Sequence, residues 1–434
     1  MAVRRVFYAF FLFPGLLGVL LTGCAKPDSA NADTAADSSA AATQAQASSI
    51  TATSTEKAAE PEVDFLAPPL TPEEIEQGWI SLFDGKTLFG WDVPAISNWH
   101  VEDGAIVVDS GEKSLLLTPF ELNDFELRCD FHLSKGGNSG VFLRTADNAT
   151  DPAKDTYELN ICDSHPTHGS GSLVARFVAE NVPAVEEAWH SFRVLCEGPH
   201  IQVWLDGTQI VDFTDSSEGL RLAGKLGLQM NQGRAAYRNV CVRPLKFQPV
   251  FNQKDTTGWQ TVPGSKSEFT VTEGMIHVSN GPGFLETTET FANFALKVTA
   301  RINGDALNSG VFFRALEGTE KAPSHGYEMQ LHNGRRDGNR SQPQDFGTGA
   351  IFRRVPARYV VADDREFFTA VLIADGDRFA SWVNGYQVVN WKDERPDKEN
   401  PREGRRLQAG HISLQGHDPT TDLDFRSIEI HRLP

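Results

Sequence analysis

The stretch Asn138-Ser139-Gly140-Val141-Phe142-Leu143-Arg144, followed by Tyr157-Glu158-Leu159-Asn160-Ile161-Cys162-Asp163, occurs twice in this chain. It returns as Asn308-Ser309-Gly310-Val311-Phe312-Phe313-Arg314, followed by Tyr327-Glu328-Met329-Gln330-Leu331-His332-Asn333. Both copies alternate apolar and polar side chains, which predicts strands with two unlike faces. In the first copy Val141, Leu143, Tyr157, Leu159 and Ile161 share one face, as a core requires. Asn138, Phe142, Arg144, Glu158 and Asn160 share the other. Amides, an arginine and a glutamate are costly in a core and suit a surface that holds a polar ligand.

Outward from these strands the rest of the chain is doubled as well. Leu82-Phe83-Asp84-Gly85-Lys86-Thr87-Leu88-Phe89-Gly90-Trp91 is echoed by Val250-Phe251-Asn252-Gln253-Lys254-Asp255-Thr256-Thr257-Gly258-Trp259. Asp103-Gly104 pairs with Glu273-Gly274, and Asp206-Gly207 with Asn384-Gly385. Each dipeptide sits between alternating runs and predicts a tight hairpin. Leu226-Gly227-Leu228-Gln229 matches Ile412-Ser413-Leu414-Gln415, and Tyr237-Arg238-Asn239-Val240 matches Phe425-Arg426-Ser427-Ile428. The period is too long for a solenoid, so the chain is a duplicated domain joined between Pro244 and Pro249. Many short strands and no long amphipathic helix predict an all-β antiparallel sandwich or jelly roll in each copy. Its curved outer face would carry Glu158, Asn160 and Arg144, with Trp204 and Gln229 joining from neighbouring strands.

With 434 residues and 40% hydrophobic content, the chain has material for two real cores. A formal net charge of −18 without a long basic run argues against nucleic acid, which needs a clustered positive field.

Arg4 and Arg5 precede an apolar run from Phe7 to Leu21, interrupted by Pro14-Gly15. At about fifteen residues the run is short for a membrane span and suits a signal-peptide core. It ends in Leu21-Thr22-Gly23-Cys24, which resembles the lipobox of bacterial lipoproteins. That resemblance implies a leader over residues 1–23, lipidation of Cys24, and a lipid-anchored place in the bacterial cell envelope, at the outer membrane or facing the periplasm. Residues 24–70 are mostly small and polar and read as a disordered tether. Thr71-Pro72-Glu73-Glu74 predicts one short capped helix ending near Gly78. The folded body then divides into residues 71–246 and 247–434.

Four further cysteines, Cys129, Cys162, Cys196 and Cys241, lie in the first copy. Cys129 and Cys196 align with Val298 and Leu372 and read as core residues, whereas Cys162 and Cys241 align with His332 and Glu429 and are expected to point elsewhere. No Cys or His spacing defines a metal set, and cofactors stay unassigned. His165-Pro166-Thr167-His168 sits among loop residues and reads as a loop.

Glycosidases need two carboxylates flanking the scissile bond. Glu158-x-Asn160-x-x-Asp163 places its two acids on opposite strand faces, and the second copy has Asn333 in the last position. A matched acid pair is therefore not expected here.

The ordered set of motifs resembles the 3-keto-disaccharide hydrolase family. It comprises Phe83-Asp84-Gly85-Lys86-Thr87-Leu88 through Gly90-Trp91, the Asn-Ser-Gly-Val-Phe strands, Tyr-Glu-x-(Asn/Gln), the Asx-Gly hairpins and the Leu-Gln strands. The resemblance covers nearly everything from Gly78 onward, twice. It implies a concanavalin-like jelly roll and substrates that are glycosides oxidised at the sugar 3-position, cleaved by hydrolysis or elimination. The second copy follows the family pattern more closely at Gly326-Tyr327-Glu328 and Thr348-Gly349-Ala350; the first keeps Glu187-Ala188-Trp189-His190. A ketone at C3 acidifies the C2 proton, so one base and one cationic partner suffice. Glu158 or Glu328 is the expected base, with Arg144 or Arg314 as partner. Asn138, Asn160, Trp204 and Gln229, and in the second copy Asn308, Gln330, Trp382 and Gln415, are expected to bind sugar. The competing reading is a non-catalytic, lectin-like carbohydrate-binding lipoprotein on the same scaffold.

Overall fold

The computed structural model describes residues 69–434. The expected leader, Cys24 and most of the tether lie outside the described residues. The body opens on the helix Pro72–Glu76, where Thr71 and Glu74 form the reciprocal capping box. Everything after it is strand, turn and loop, apart from a single 3₁₀ turn at Arg336–Gly338 among the described residues.

Each repeat is a sandwich of two antiparallel sheets. In the first, the smaller sheet runs Ser114–Leu117, Lys225–Met230, Ser139–Thr145, Tyr157–Ile161. In the second, the corresponding sheet runs Trp259–Thr261, Gly283–Thr287, His411–Gly416, Ser309–Ala315, Tyr327–Leu331. A larger sheet backs each of them, built around Phe125–Leu133 and Ala235–Pro244 in one repeat and Phe294–Ile302 and Asp422–Arg432 in the other. The four hairpin dipeptides turn as the sequence predicts. Asp103-Gly104, Asp206-Gly207, Glu273-Gly274 and Asn384-Gly385 all have positive φ at both residues, the twist that matches right-handed strands.

The cores lie between the sheets, and the pleat assigns the residues. Val141, Leu143, Leu159 and Ile161 meet Leu226 and Leu228 in one core; Val311, Phe313, Met329 and Leu331 meet Ile412 and Leu414 in the other. All four body cysteines are buried and unpaired; Cys129 and Cys196 belong to the hydrophobic core of the first repeat, and Cys162 and Cys241 lie outside it, as the alignment suggests.

The core of the first repeat extends into the second. Ala295, Val371, Ile373, Ala380, Trp382 and Leu433 of the second belong to the core of the first. Trp382 is fully buried, packs edge-on against Phe120 at 5.6 Å and donates its indole N–H to the Ser81 carbonyl at 2.8 Å. Arg358 spans the same junction, pairing with Asp84 at 3.0 Å and lying over Phe89 at 4.1 Å. Truncating Trp382 to Ala would open a cavity at this seam, and large aromatic truncations cost about 3–5 kcal/mol. Urea unfolding of W382A is therefore expected to show a lowered midpoint in one transition for the whole body; loss of the second repeat alone, with the first unchanged, would show that the seam carries no shared stability.

Candidate functional site

Strand parity places Glu158 and Glu328 where the sequence predicts, on the outer faces of the smaller sheets. Register then decides their neighbours. In the first repeat Leu117, Gly227, Phe142 and Glu158 stand side by side across the sheet. In the second the matching row is Glu286, Ser413, Phe312 and Glu328. The glycine of the Asn-Ser-Gly motif has a local reason. A Cβ on Gly310 would stand 2.7 Å from Glu328 Oε1 and 2.9 Å from its Cγ, so any larger residue there would push the glutamate from its place across the neighbouring strand.

Around Glu158 the loops build a cavity of about 640 Å³. Its floor is Leu115, Leu117, Phe142 and Gln229, its walls come from Ile96 and the 148–152 loop, and Lys113 stands at its edge. Gln229 donates to Glu158 Oε1 at 3.0 Å, and its own Oε1 is buried with no partner. Burial pushes the Glu158 carboxyl above its ordinary range, against the opposing pull of Lys113 and the Gln229 hydrogen bond. Lys113 forms no ion pair within contact distance among the described residues and is exposed. Asp151, in the loop wall, is already engaged by the Ala153 N–H at 2.9 Å and by Lys154 at 3.4 Å. The sheet face itself therefore offers one carboxylate.

Around Glu328 the same face is closed. Arg402 reaches over Phe312, 5.2 Å from its ring, and donates to Glu328 Oε2 at 3.4 Å. Burial pushes the Glu328 carboxyl up to about 7, while Arg402 opposes that rise. The cavity left beside it is about 80 Å³. Glu286, at the far end of the row, holds the Gln260 amide at 2.9 Å and the Gly318 N–H at 3.0 Å. Three strand spacings separate the two acids of this row, about 14 Å. Paired-carboxylate glycosidases need about 5–9.5 Å.

The arginines expected as catalytic partners are not at the face. Arg144 and Arg314 have φ of 50° and 46°, inside a bulge where the register with the next strand shifts. The extra residue reverses the parity, and both side chains turn away from the glutamates. Arg144 is fully buried and donates to the carbonyls of Asn123, Gly198 and Arg221 at 2.8, 2.5 and 3.1 Å. Arg314 does the same with Ala292, Gly376 and Arg406, and burial pushes its guanidinium down to about 10.

The tryptophans are also elsewhere. Trp204 lies in the larger sheet, beneath the Arg193 guanidinium at 4.2 Å, because its hairpin pairs with Trp189–Glu197. Trp382 is sealed in the junction between repeats. Of the polar candidates, Asn160 donates to the His168 carbonyl at 2.5 Å, and Gln330 donates to Asp345 and, at 3.3 Å, to Asn308. Asn138 and Gln415 each keep a buried, unpartnered amide oxygen. Lys113, Glu286 and Arg402 were missed from sequence; they reach the faces only through long-range register or loops.

Loop-walled cavities on the outer sheets of two antiparallel sandwiches define a tandem jelly-roll protein. The chain belongs to the family of 3-keto-alpha-glucoside-1,2-lyase-like domains, whose profile matches residues 78–243 and again 246–431. It is similar to a 3-keto-disaccharide hydrolase of Bacteroides thetaiotaomicron, 32% identical over 169 residues, which are 35% of this chain and 52% of that protein. The chain thus spans about half the length of that curated relative. Among solved structures it is similar to a candidate glycosyl hydrolase from Parabacteroides distasonis, at 23% identity and a TM-score of 0.37, covering 41% of this chain and 98% of that one. It is also similar to a carbohydrate binding module from Bacillus subtilis, at 20% identity and a TM-score of 0.29, covering 36% and 95%.

Removing Arg144 would leave three half-buried carbonyls without their donor and a void where the fully buried side chain stood. Each unsatisfied buried group costs about 1–3 kcal/mol. Arg144→Met is therefore expected to destabilise the fold by on the order of 1–3 kcal/mol, read as a lowered denaturation midpoint. A variant with native stability and selectively lost turnover would restore the arginine to a catalytic role.

Proposed function

We propose that the outer face of the first repeat cleaves glycosides already oxidised to a ketone at C3. The reading is carried by one observation: a cavity of about 640 Å³, within the size range of small-molecule sites, holds one largely buried glutamate and one unpaired lysine. Membership of the 3-keto-alpha-glucoside-1,2-lyase-like family and the name of the Bacteroides relative support the substrate class.

The reaction needs little more than this. The ketone makes the C2 proton acidic, and the Glu158 carboxylate removes it. Negative charge collects on the C3 oxygen, where the Lys113 ammonium stabilises it. The enolate re-forms the ketone as the C1–O bond breaks; the electron pair leaves with the aglycone oxygen, which takes the proton from Glu158. A 1,2-unsaturated 3-keto sugar remains. Water adding across that double bond, hydroxyl to C1 and hydrogen to C2, completes net hydrolysis. Phe142 gives the sugar an apolar platform, and Gln229 holds Glu158 and offers its free oxygen to a hydroxyl. In the second repeat Arg402 already occupies the Glu328 carboxylate, so that face is assigned no turnover.

A positioned base contributes typically about 10²–10⁴-fold. Glu158→Gln is expected to cut turnover of a 3-keto-disaccharide by that order, and deuterium at C2 to slow the wild type. Because the base works ionised and its pKa is raised by burial, the acid limb of activity should lie above the ordinary glutamate range of about 4.3. Cleavage of unoxidised disaccharides at a comparable rate, unaffected by Glu158→Gln, would overturn the assignment. Glycan binding without any turnover would favour the lectin-like reading.

The apolar leader and Cys24 support a lipid anchor in the cell envelope. Cys24→Ser is expected to move the protein from the membrane fraction to the soluble fraction; unchanged fractionation would remove the anchor.

A further inference from the structure

The two repeats are built alike around their glutamates, so each is a control for the other. The Val174 N–H donates to the Glu158 carbonyl as the Phe352 N–H does to the Glu328 carbonyl, both at 2.9 Å. Arg176 therefore corresponds to Arg354, and Ala175 to Arg353. Tyr157 donates to Asp215 as Tyr327 does to Asp393, both at 2.7 Å. In the first repeat Arg176 is neutralised by that aspartate, at 2.6 Å and almost fully buried. In the second, Arg395 takes the aspartate instead, with two contacts of 2.8 Å.

Arg354 thereby has no direct carboxylate contact among the described residues. It touches only the carbonyls of Arg353 and Arg402, at 3.2 and 2.7 Å, and a guanidinium has five N–H donors to place. The release comes from a longer loop. Asp215 to Arg221 spans six positions, while the matching Asp393 to Arg406 spans thirteen. The same loop delivers Arg402, and Arg353 stands where the first repeat has Ala175. The result is a cavity of about 80 Å³ lined by Arg353, Arg354 and Arg402, with Glu328 as the one acidic residue of its lining. Neither Arg353 nor Arg354 forms an ion pair within contact distance among the described residues. In a chain of net charge −18 this is a local inversion of sign. Burial first, and then the like charges of Arg395 and Arg402, pull the Arg354 guanidinium below its ordinary value, against the opposing pull of Asp393.

We propose that this cavity is a second ligand site, separate from the glycoside face of the first repeat, that binds an oxyanion (a carboxylate or sulfate group borne by a sugar) through Arg353, Arg354 and Arg402. The volume suits such a group, being on the order of a few water molecules. Planar guanidinium forks are matched to carboxylate and sulfate oxygens. Glu328 adds a pH dependence. The charged or titratable groups facing it are Arg402, His417, Asp345 and Arg353, and its carboxyl titrates at about 7. Above that pH its negative charge competes with the ligand for Arg402. Below it the competitor is neutral.

The test is calorimetric titration of the full chain with glucuronate, sodium sulfate and glucose at constant ionic strength. Glucuronate and sulfate are expected to bind and glucose not to. Glucuronate should bind several-fold tighter at pH 6 than at pH 8, on either side of the Glu328 titration near 7. Arg402→Ala, and independently the exposed Arg353→Ala, should weaken glucuronate at least about tenfold, as loss of a charge-assisted contact does. Thermal unfolding of Arg353→Ala verifies that the fold is retained. Glu158→Gln should leave glucuronate binding unchanged, so loss of turnover in the first repeat and loss of anion binding in the second are read separately. Equal binding of glucose and glucuronate, undiminished binding by Arg353→Ala, or binding of neither glucuronate nor sulfate would each overturn the proposal.

Discussion

A buried guanidinium closes each sandwich. Arg144 and Arg314 sit in left-handed bulges at the ends of their strands and gather carbonyls from three separate segments. Those carbonyls belong to loops at the sandwich end, where no ladder partner is present to satisfy them. A buried carbonyl left alone is costly, and a planar cation with five donors can serve several at once. The bulge is what allows it, because an uninterrupted strand would send the arginine out to the ligand face. The same device that closes the core thus removes positive charge from that face and leaves room for other cations to define it.

What defines it differs between the repeats. Lys113 faces Glu158 across an open cavity, whereas Arg402 closes down on Glu328. The scaffold is the same in both, and the loops differ. Duplication gave one chain two copies of a sheet face, and loop length separated an open copy from a closed one. Because Trp382, Arg358 and the backs of the strands around them join the second repeat to the core of the first, the two faces are held on a common body. A repeat cut free would expose apolar surface that the other now covers.

Much of this was legible in the chain itself. Alternation of Val141, Leu143, Leu159 and Ile161 against Phe142, Glu158 and Asn160 fixes which residues enter the core, because a strand has a period of two and nothing else. The Asx-Gly and Glu-Gly pairs determined the hairpins, because two successive positive φ values suit few residues. The internal duplication was readable because each motif recurs in order. Tertiary structure decided the rest. A single inserted residue reversed the parity at Arg144 and Arg314, and nothing local announces a bulge whose cause is carbonyls distant in sequence. Trp204 and Trp382 read alike as strand aromatics, yet one stacks under Arg193 on the larger sheet and the other is sealed between repeats. Glu286, Lys113 and Arg402 reached the faces through register and loop closure across the chain. Sequence periodicity specifies the direction of a side chain relative to its own strand; which strand, loop or repeat it then meets is set by long-range packing, and that is where the chemistry of the two faces was determined.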